Sequence, residues 1–446
     1  MALNDASASS DSLTTKTINL PDGRTVSYVC IPAPQPTTSE QHAPKAAVVH
    51  FGPLSACATA TIPWNELWKT LKTSASIITV DRPGCHETSP VPEPNVDNPH
   101  DSNEDWVLRR LRVNTDNTLA VLKHEKIHTV YVLAVCLGHA YAIHFARELI
   151  QSQNTKIELK DISLVAPFVS TVCPKTWYMA RLGNAVPFCV LSTATNAMMC
   201  LGSTLTPYVL SPSAVRNMLS DHEQLLWRDP DDYEFTCQMI KKTQPLTESV
   251  KSIEACFGSS EVWQQVIDDF AIKAGYGLHL QDGKVQIISE DQNDQRPCLF
   301  PRIKIHVSPN DGMVTTKAVE CLARRCYADC EVVTHKKMSS HLTMTLLGGP
   351  PRNPYLLRDI CQNEFGIIAP SGWQSCAWSD DVPLLSDEKC TINQFGDFGI
   401  QKQQSTSCSI PLQDFDTKLK YGNWNRSCRK SHPLMPPQSK PYLFVP

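Results

Sequence analysis

Short apolar runs alternate with longer segments of helical periodicity along most of this chain. The runs are rich in β-branched residues, as the buried strands of a parallel sheet are. The predicted strands are Ala46–Phe51, Ser76–Val80, Thr129–Val135, Ile162–Ala166, Lys304–Val307 and Glu331–Thr334, and the predicted helices are Ile62–Leu71, Glu104–Lys123, Leu137–Ile150 and Thr315–Cys326. This alternation predicts an α/β fold with a mostly parallel sheet.

A predicted β-hairpin precedes the alternating pattern. Thr17–Leu20 and Thr25–Ile31 are apolar-alternating runs, and the Pro21–Arg24 segment between them has glycine at its third place, which is typical of a tight turn. Residues 1–15 are rich in serine, threonine and aspartate and show no period. We therefore predict a disordered leader before the hairpin.

Residues 170–297 interrupt the alternating pattern, and we interpret them as an inserted helical cap, or lid. Ala214–Trp227 and Ser259–Ala274 are its clearest predicted helices. The segment Ala185–Leu210 has no charged residue in 26 positions, which is long enough to suggest a membrane span. Prolines and many polar residues interrupt this run, so we predict no stable membrane span but an apolar surface over a pocket.

These boundaries divide the chain into a split core, the cap and a tail. Residues 16–169 form the N-terminal part of the predicted core and residues 298–366 its C-terminal part. Residues 367–446 are rich in serine, proline, glutamine and aspartate and have no sustained period. We predict a low-order tail there.

Charge and the start of the chain exclude several classes of partner. The 446 residues carry 41 basic and 45 acidic side chains, for a formal net charge of -4. Because this balance provides no basic surface for phosphate backbones, we expect no nucleic-acid partner. The first residues lack the basic and apolar regions of a secretory signal, which favours a cytoplasmic location.

The cysteines show no metal-binding pattern. The chain has 18 of them and no C-x-x-C pair. The tightest group, Cys321, Cys326 and Cys330, lacks histidines at zinc-ligand spacing. We therefore expect reduced thiols, no metal and no cofactor.

One predicted strand leads into a motif with the features of a nucleophile site. Thr129–Val135 is followed by Cys136, Leu137 and Gly138 and then by a predicted helix. A nucleophile on a strained turn between a strand and a helix requires small residues two positions before and after it, and Ala134 and Gly138 meet this requirement. The N-terminus of the helix favours a thiolate and a developing oxyanion.

Together with this motif, four other segments resemble the α/β-hydrolase family, whose nucleophile is serine or cysteine. His50–Ser55 resembles the H-G-x-P-G-S oxyanion turn of the family, and Asp81–Gly84 resembles the start of its D-R-P-G-x-G-x-S loop. Ser308–Val314 resembles the loop that carries the acid, and Ser340–Thr343 resembles the loop that carries the histidine. The resemblance extends over roughly residues 16–362, and the cap agrees with it only in position.

The resemblance implies an α/β-hydrolase fold with a mostly parallel eight-stranded sheet flanked by helices. It identifies Cys136 as the nucleophile, His341 as the general base and acid, and Asp311 as the carboxylate that orients the imidazole. It also implies an oxyanion hole made by the backbone N–H of Leu137 and one from the Phe51–Gly52 turn. The order nucleophile, acid, histidine is the one that this fold uses.

Four departures from the family pattern bear on the reaction. Cysteine replaces serine as the nucleophile, and the other changes are Ala134 and Phe51 at two glycine positions and Cys85-His86 with Thr88 in place of x-G-x-S. They favour thioester or lactone substrates, or acyl transfer, over ordinary ester hydrolysis.

Several other polar residues near these motifs have non-catalytic interpretations. His335 is the rival base to His341, but its spacing fits the family less well. We expect His139 to pack beneath the pocket and His50 to support the oxyanion turn. In this family the residues at Asp81 and Arg82 brace a loop beside the site.

These features predict a hydrolase that cleaves an ester, thioester or lactone bond of a hydrophobic small molecule, such as a secondary metabolite. The reaction would run through a Cys136-His341-Asp311 triad and an acyl-enzyme. Two alternatives stay open. One is an acyltransferase or ring-forming biosynthetic enzyme on the same fold, and the other is a catalytically inactive homologue that binds a ligand.

Overall fold

The structure of the chain is a computed structural model. It describes residues 15–33, 45–53, 57–71, 73–93, 105–151, 156–169, 210–227, 229–242, 301–326, 330–336, 338 and 340–368, with shorter pieces at 193, 197, 266, 278–281, 284–287, 388–392 and 398–401. Most of the predicted leader, much of the predicted cap, including Ser259–Ala274 and Ala185–Leu210 apart from a few positions, and most of the predicted tail lie outside these residues.

Twelve strands are found in the described residues. They are β1 (Lys16–Asn19), β2 (Thr25–Ile31), β3 (Ala46–Phe51), β4 (Ala75–Val80), β5 (Thr129–Val135), β6 (Glu158–Val165), β7 (Leu278–Gln281), β8 (Lys284–Ile287), β9 (Arg302–Val307), β10 (Glu331–Thr334), β11 (Glu388–Ile392) and β12 (Phe398–Gln401). All strands that the alternating pattern predicts are present. β6 begins four residues earlier than predicted, because its first half is only partly buried and lacks a continuous apolar signal.

One sheet has the order β1-β2-β4-β3-β5-β6-β9-β10-β11-β12, and β7 and β8 pair separately as an antiparallel hairpin. The six strands from β4 to β10 run parallel to one another, whereas β1 and β2 are antiparallel to their neighbours. The first eight strands in this order therefore form the predicted eight-stranded, mostly parallel sheet. β11 and β12 extend it as an antiparallel pair within the region predicted as a tail.

Helices lie between the parallel strands. They are α1 (Asn65–Thr70), which follows a 3₁₀ turn at Ala58–Trp64, α2 (Trp106–His124), α3 (Gly138–Gln151), α4 (Pro212–Asn217), α5 (Asp221–Leu226), α6 (Pro230–Lys242), α7 (Thr316–Cys326), α8 (His341–Thr345) and α9 (Tyr355–Asp359) with a π-helical turn at Ile360–Glu364. The central strands β3 and β5 are buried over most of their length, because helices cover both faces of a parallel sheet.

Residues near the C-terminal end of the core form hydrogen bonds with earlier parts of the core. The Ser74 N–H donates to the Ile367 carbonyl over 2.9 Å, and Thr73 forms an isolated antiparallel bridge with Ile368. Ser163 on β6 donates a hydrogen bond to the buried carboxylate of Glu364. Residues close to the end of the split core thus contact β6 and the residues that lead into β4.

The described part of the cap differs from the prediction in one respect. The pattern predicts one helix over Ala214–Trp227, but the structure has α4 and α5 there, separated at Ser220. Ser220 and Glu223 form a capping box that starts α5, and such a box fixes a helix N-terminus. None of the helices in the described residues is long and apolar enough to cross a membrane.

Candidate active site

Three of the predicted site residues lie at the carboxyl ends of parallel strands. Cys136 follows β5 directly, Asp311 lies four residues after the end of β9, and His341 begins α8, which follows β10. The carboxyl ends of parallel strands meet at one edge of the sheet, where α/β proteins place their sites. The fold therefore brings these three residues to one place although 205 residues separate the first from the last.

Cys136 occupies a strained turn between β5 and α3. Its φ is 50°, a left-handed value that non-glycine residues rarely adopt. The turn is held by hydrogen bonds from the Cys136 N–H to the Val165 carbonyl at 2.9 Å and from the Phe168 N–H to the Cys136 carbonyl at 3.0 Å. This geometry agrees with the strand-turn-helix elbow predicted for a nucleophile.

Gly138 allows the elbow to approach the end of β3. A Cβ atom at this position would lie 2.0 Å from the Phe51 carbonyl oxygen and 2.7 Å from that of Gly52. Both obstacles are backbone atoms, so no side-chain movement could make room. The predicted need for a small residue two positions after the nucleophile is therefore a direct consequence of the contact with the Phe51–Gly52 turn.

The predicted oxyanion residues surround this contact. Leu137 is buried beside Cys136, and no hydrogen bond in the described residues uses its backbone N–H. The guanidinium of Arg82 donates to the Gly52 carbonyl over 2.6 Å and lies 4.8 Å from the centre of the Tyr141 ring. Arg82 thus braces the turn from the neighbouring loop, as the sequence predicts.

His341 and Asp311 are hydrogen-bonded. The His341 Nδ1 atom lies 2.8 Å from Asp311 Oδ2. The other carboxylate oxygen of Asp311 accepts from the N–H groups of Met313 and Val314 at 2.8 and 2.9 Å. Only 1% of the Asp311 side chain is exposed, so these contacts fix the direction from which the carboxylate meets the imidazole.

The environment of His341 stabilises its protonated form. Burial alone lowers the pKa of this imidazole. Hydrogen bonds and charge interactions with Asp311 and Cys136 outweigh burial and raise the pKa to about 10. With Nδ1 held by the Asp311 carboxylate, an imidazolium is favoured over a neutral ring.

The other histidines near the site have structural environments. The fully buried ring of His139 lies with Nδ1 2.9 Å from the Phe168 carbonyl oxygen, and burial lowers its pKa to about 4. His50 packs its ring edge against Trp64 and lies 3.3 Å from the Thr79 hydroxyl. His335, the rival base, lies 3.0 Å from His306, and it is His341 that contacts Asp311.

The carboxylate of Glu223 lies beside the histidine loop, and the sequence did not predict this. Glu223, on α5 of the cap region, accepts hydrogen bonds at Oε1 from the N–H and hydroxyl of Ser340 over 3.0 and 3.2 Å. Ser340 precedes His341 and caps α8 with its hydroxyl. The Ser220-x-x-Glu223 pattern of a capping box is a signal for the helix start, but no local pattern indicates the contact 117 residues away.

The strand order, the elbow between β5 and α3, and the positions of Asp311 and His341 define the α/β-hydrolase fold. No family model and no curated protein matches this chain. The likenesses found are to solved structures.

Three of these structures illustrate the likeness. An α/β hydrolase enzyme from a Medee basin deep-sea metagenome library has 11% identity and a TM-score of 0.45, covering 79% of this chain and 97% of its own. A carboxylesterase structure from the Thaumarchaeon Nitrososphaera gargenis has 10% identity, a TM-score of 0.44 and coverages of 79% and 98%. For a bromoperoxidase from Bacillus anthracis the values are 11%, 0.44, 77% and 99%. Likenesses this distant transfer no activity.

Proposed function

We propose that this protein is a hydrolase that cleaves an ester, thioester or lactone bond of a hydrophobic small molecule through a covalent acyl-enzyme. The observation that carries the proposal is the hydrogen bond of 2.8 Å between the Asp311 carboxylate and the His341 imidazole. A carboxylate, an imidazole and a thiol in series are the parts of a nucleophilic triad. The left-handed elbow at Cys136 supports the same assignment.

In the first half of the reaction, the Cys136 thiolate attacks the acyl carbon and forms a carbon–sulfur bond. Negative charge develops on the carbonyl oxygen, where the Leu137 N–H and an N–H of the Phe51–Gly52 turn would stabilise it. The bond to the leaving group then breaks, and the His341 imidazolium gives its proton to the departing oxygen or sulfur. Asp311 keeps Nδ1 in place, so that Nε2 carries out the proton transfer.

In the second half, water replaces the leaving group. Neutral His341 takes a proton from the water molecule as its oxygen attacks the acyl carbon. The carbon–sulfur bond breaks, the carboxylic acid leaves, and the thiolate and the imidazolium form again. Because its pKa is raised, His341 holds a proton readily, as the steps that involve an imidazolium require.

The preference for an apolar acyl group rests on the composition of residues 170–297, where the long uncharged run Ala185–Leu210 lies. An apolar cap over a site selects apolar ligands because such pockets bury most of the ligand surface. Cysteine as the nucleophile favours thioesters and lactones.

Intact-mass measurement of the full chain after exposure to a panel of thioesters, lactones and esters tests the proposal. We expect an acyl adduct on Cys136 that Cys136→Ala abolishes and that His341→Ala retains for longer, because the ring activates the water that attacks the acyl-enzyme. Cys30→Ser, which changes another buried thiol, is the matched control and should behave as the parent protein.

The same experiment separates the alternatives. An acyltransferase would give an ester or amide when an alcohol or amine is added. A ligand-binding homologue would form no adduct. Full turnover by Cys136→Ala would contradict the nucleophile assignment.

A further inference from the structure

A cluster of side chains of the types that can bind a metal ion lies outside the triad. It consists of Cys57, just before the 3₁₀ turn that follows β3, and of Asp81 and His86 on the loop after β4. The thiol sulfur, a carboxylate oxygen and a ring nitrogen of these residues all lie within 4.8 Å of one another. Cys57 and Asp81 are buried, and His86 has 34% of its side chain exposed.

His86 is held in an unusual backbone conformation. Its φ is 46°, in the left-handed region that favours glycine. The family pattern that this loop resembles, D-R-P-G-x-G-x-S, has glycine at the corresponding place, so histidine here retains the conformation at a cost in strain. In this conformation the His86 ring lies beside the carboxylate of Asp81 on the same loop, with Nδ1 3.1 Å from Oδ1.

The cluster also has an outer layer of hydrogen bonds. Oδ2 of Asp81 accepts from the Ser27 hydroxyl at 2.7 Å, and Oδ1 accepts from the Ala58 N–H at 2.7 Å. The Cys57 sulfur lies 2.8 Å from the Thr59 hydroxyl. Partners of this kind orient metal ligands and are part of how proteins build metal sites.

We propose that Cys57, Asp81 and His86 bind one divalent transition-metal ion of the zinc type, with solvent as the fourth ligand. Thiolate, imidazole and carboxylate together are donors that zinc prefers. Zinc–ligand bonds of about 2.0–2.3 Å keep tetrahedral ligand atoms roughly 3.3–3.6 Å apart. The nitrogen-to-oxygen distance of 3.1 Å needs to lengthen by only a few tenths of an ångström to reach this range, and the exposed part of His86 leaves room for the ion to arrive from solvent.

The site would join two segments that border the catalytic elbow. Cys57 lies five residues after Gly52, and Asp81 directly precedes Arg82, whose guanidinium holds the Gly52 carbonyl. A bound ion would therefore fasten both sides of the oxyanion turn without touching Cys136. Because the ion would bind the folded chain alone, it should raise the melting temperature with metal concentration.

Cobalt(II) is the most direct probe of this site. The full-length protein, reduced and freed of metal, is titrated with Co²⁺ at mildly alkaline pH. Alkaline conditions help because the thiol and the imidazole must each lose a proton before they bind a metal ion. We expect one ion per chain, the visible bands of a tetrahedral centre, a thiolate-to-cobalt charge-transfer band, and displacement by Zn²⁺.

Variants identify the ligands among the other thiols. Cys57→Ser should remove the charge-transfer band, and His86→Ala should weaken Co²⁺ binding at least tenfold. Cys85→Ser changes the neighbouring buried thiol, and Cys136→Ser changes the thiol of the triad. Both should keep the spectrum and the affinity of the parent protein.

Absence of stoichiometric Co²⁺ and Zn²⁺ binding would overturn the proposal. So would a charge-transfer band that survives Cys57→Ser or disappears in Cys136→Ser. If Cys57→Ser does not fold, His86→Ala decides. The His86 side chain is partly exposed, so we expect the variant to fold although it loses the contact with Asp81. Unchanged affinity in His86→Ala would then reject the site.

Discussion

Glu223 of the cap region accepts two hydrogen bonds from Ser340, the residue that immediately precedes His341. Its second carboxylate oxygen accepts from the N–H and hydroxyl of Ser220, over 2.8 and 3.0 Å. One fully buried carboxylate therefore connects the start of α5 with the start of α8. The position of the histidine depends on a residue of the inserted region.

Glu223→Gln should slow the reaction of Cys136 with a neutral alkylating reagent by about tenfold. The glutamine amide nitrogen cannot accept from a backbone N–H, so one of the two serines loses its acceptor. The loosened histidine loop then holds the His341 imidazole less firmly, which should make the Cys136 thiol less reactive. Rates are measured by mass spectrometry of the Cys136 peptide. Glu234→Gln, on the exposed side of α6, is the control, and equal rates in both variants would contradict the link.

Asp311→Asn should shift the pH dependence of Cys136 alkylation to higher pH. Asp311 raises the pKa of His341, so its neutralisation lowers that pKa and makes an imidazolium near the Cys136 thiol less stable. We expect alkylation at neutral pH to slow at least about tenfold, the equivalent of one pKa unit. Asp231→Asn, an exposed carboxylate of the cap region, should leave the profile unchanged. A parental profile in Asp311→Asn would mean that Asp311 does not act on His341.

Gly138→Ala should abolish adduct formation and lower the melting temperature by many degrees. The added methyl group would lie 2.0 Å from the Phe51 carbonyl oxygen, and backbone on both sides must move to avoid it. Gly312→Ala is the matched control, since no atom lies within 4 Å of its added Cβ. The measurements are thermal unfolding and intact mass, and a stable, acylated Gly138→Ala protein would refute the close approach.

The sequence predicted the elbow from small residues after an apolar strand, and its resemblance to the α/β-hydrolase pattern predicted the acid loop and the histidine loop. Cys136, Asp311 and His341 are found where those patterns place them. The break between α4 and α5 was missed because apolar periodicity continues across Ser220. Glu223 was missed for a different reason: its partner Ser340 is distant in sequence, and only tertiary structure brings the two together.

Glu364 should make the stability of the core sensitive to acid. Burial raises its pKa, but His306, Ser163 and Lys304 outweigh burial and lower the pKa to about 2, from an ordinary 4.5. A depressed pKa contributes stability that is complete above the unfolded value and disappears as the pH falls through the folded one. Glu364→Gln should therefore lower the melting temperature clearly at pH 7.

The difference between Glu364→Gln and the parent protein should shrink between about pH 4.5 and pH 2. Melting curves across this range provide the measurement. Glu66→Gln, whose side chain is 81% exposed beside Lys69, should leave the melting temperature unchanged at every pH. A constant difference for Glu364→Gln down to pH 2 would show that the carboxylate does not stabilise the fold through its charge.

The separation of Cys136 and His341 along the chain has a consequence for the time at which the proposed triad can form. On the ribosome, Cys136 is synthesised 205 residues before His341, an interval of roughly 10–40 s at about 5–20 residues per second. Throughout that interval the growing chain lacks His341, so the proposed triad cannot form around Cys136.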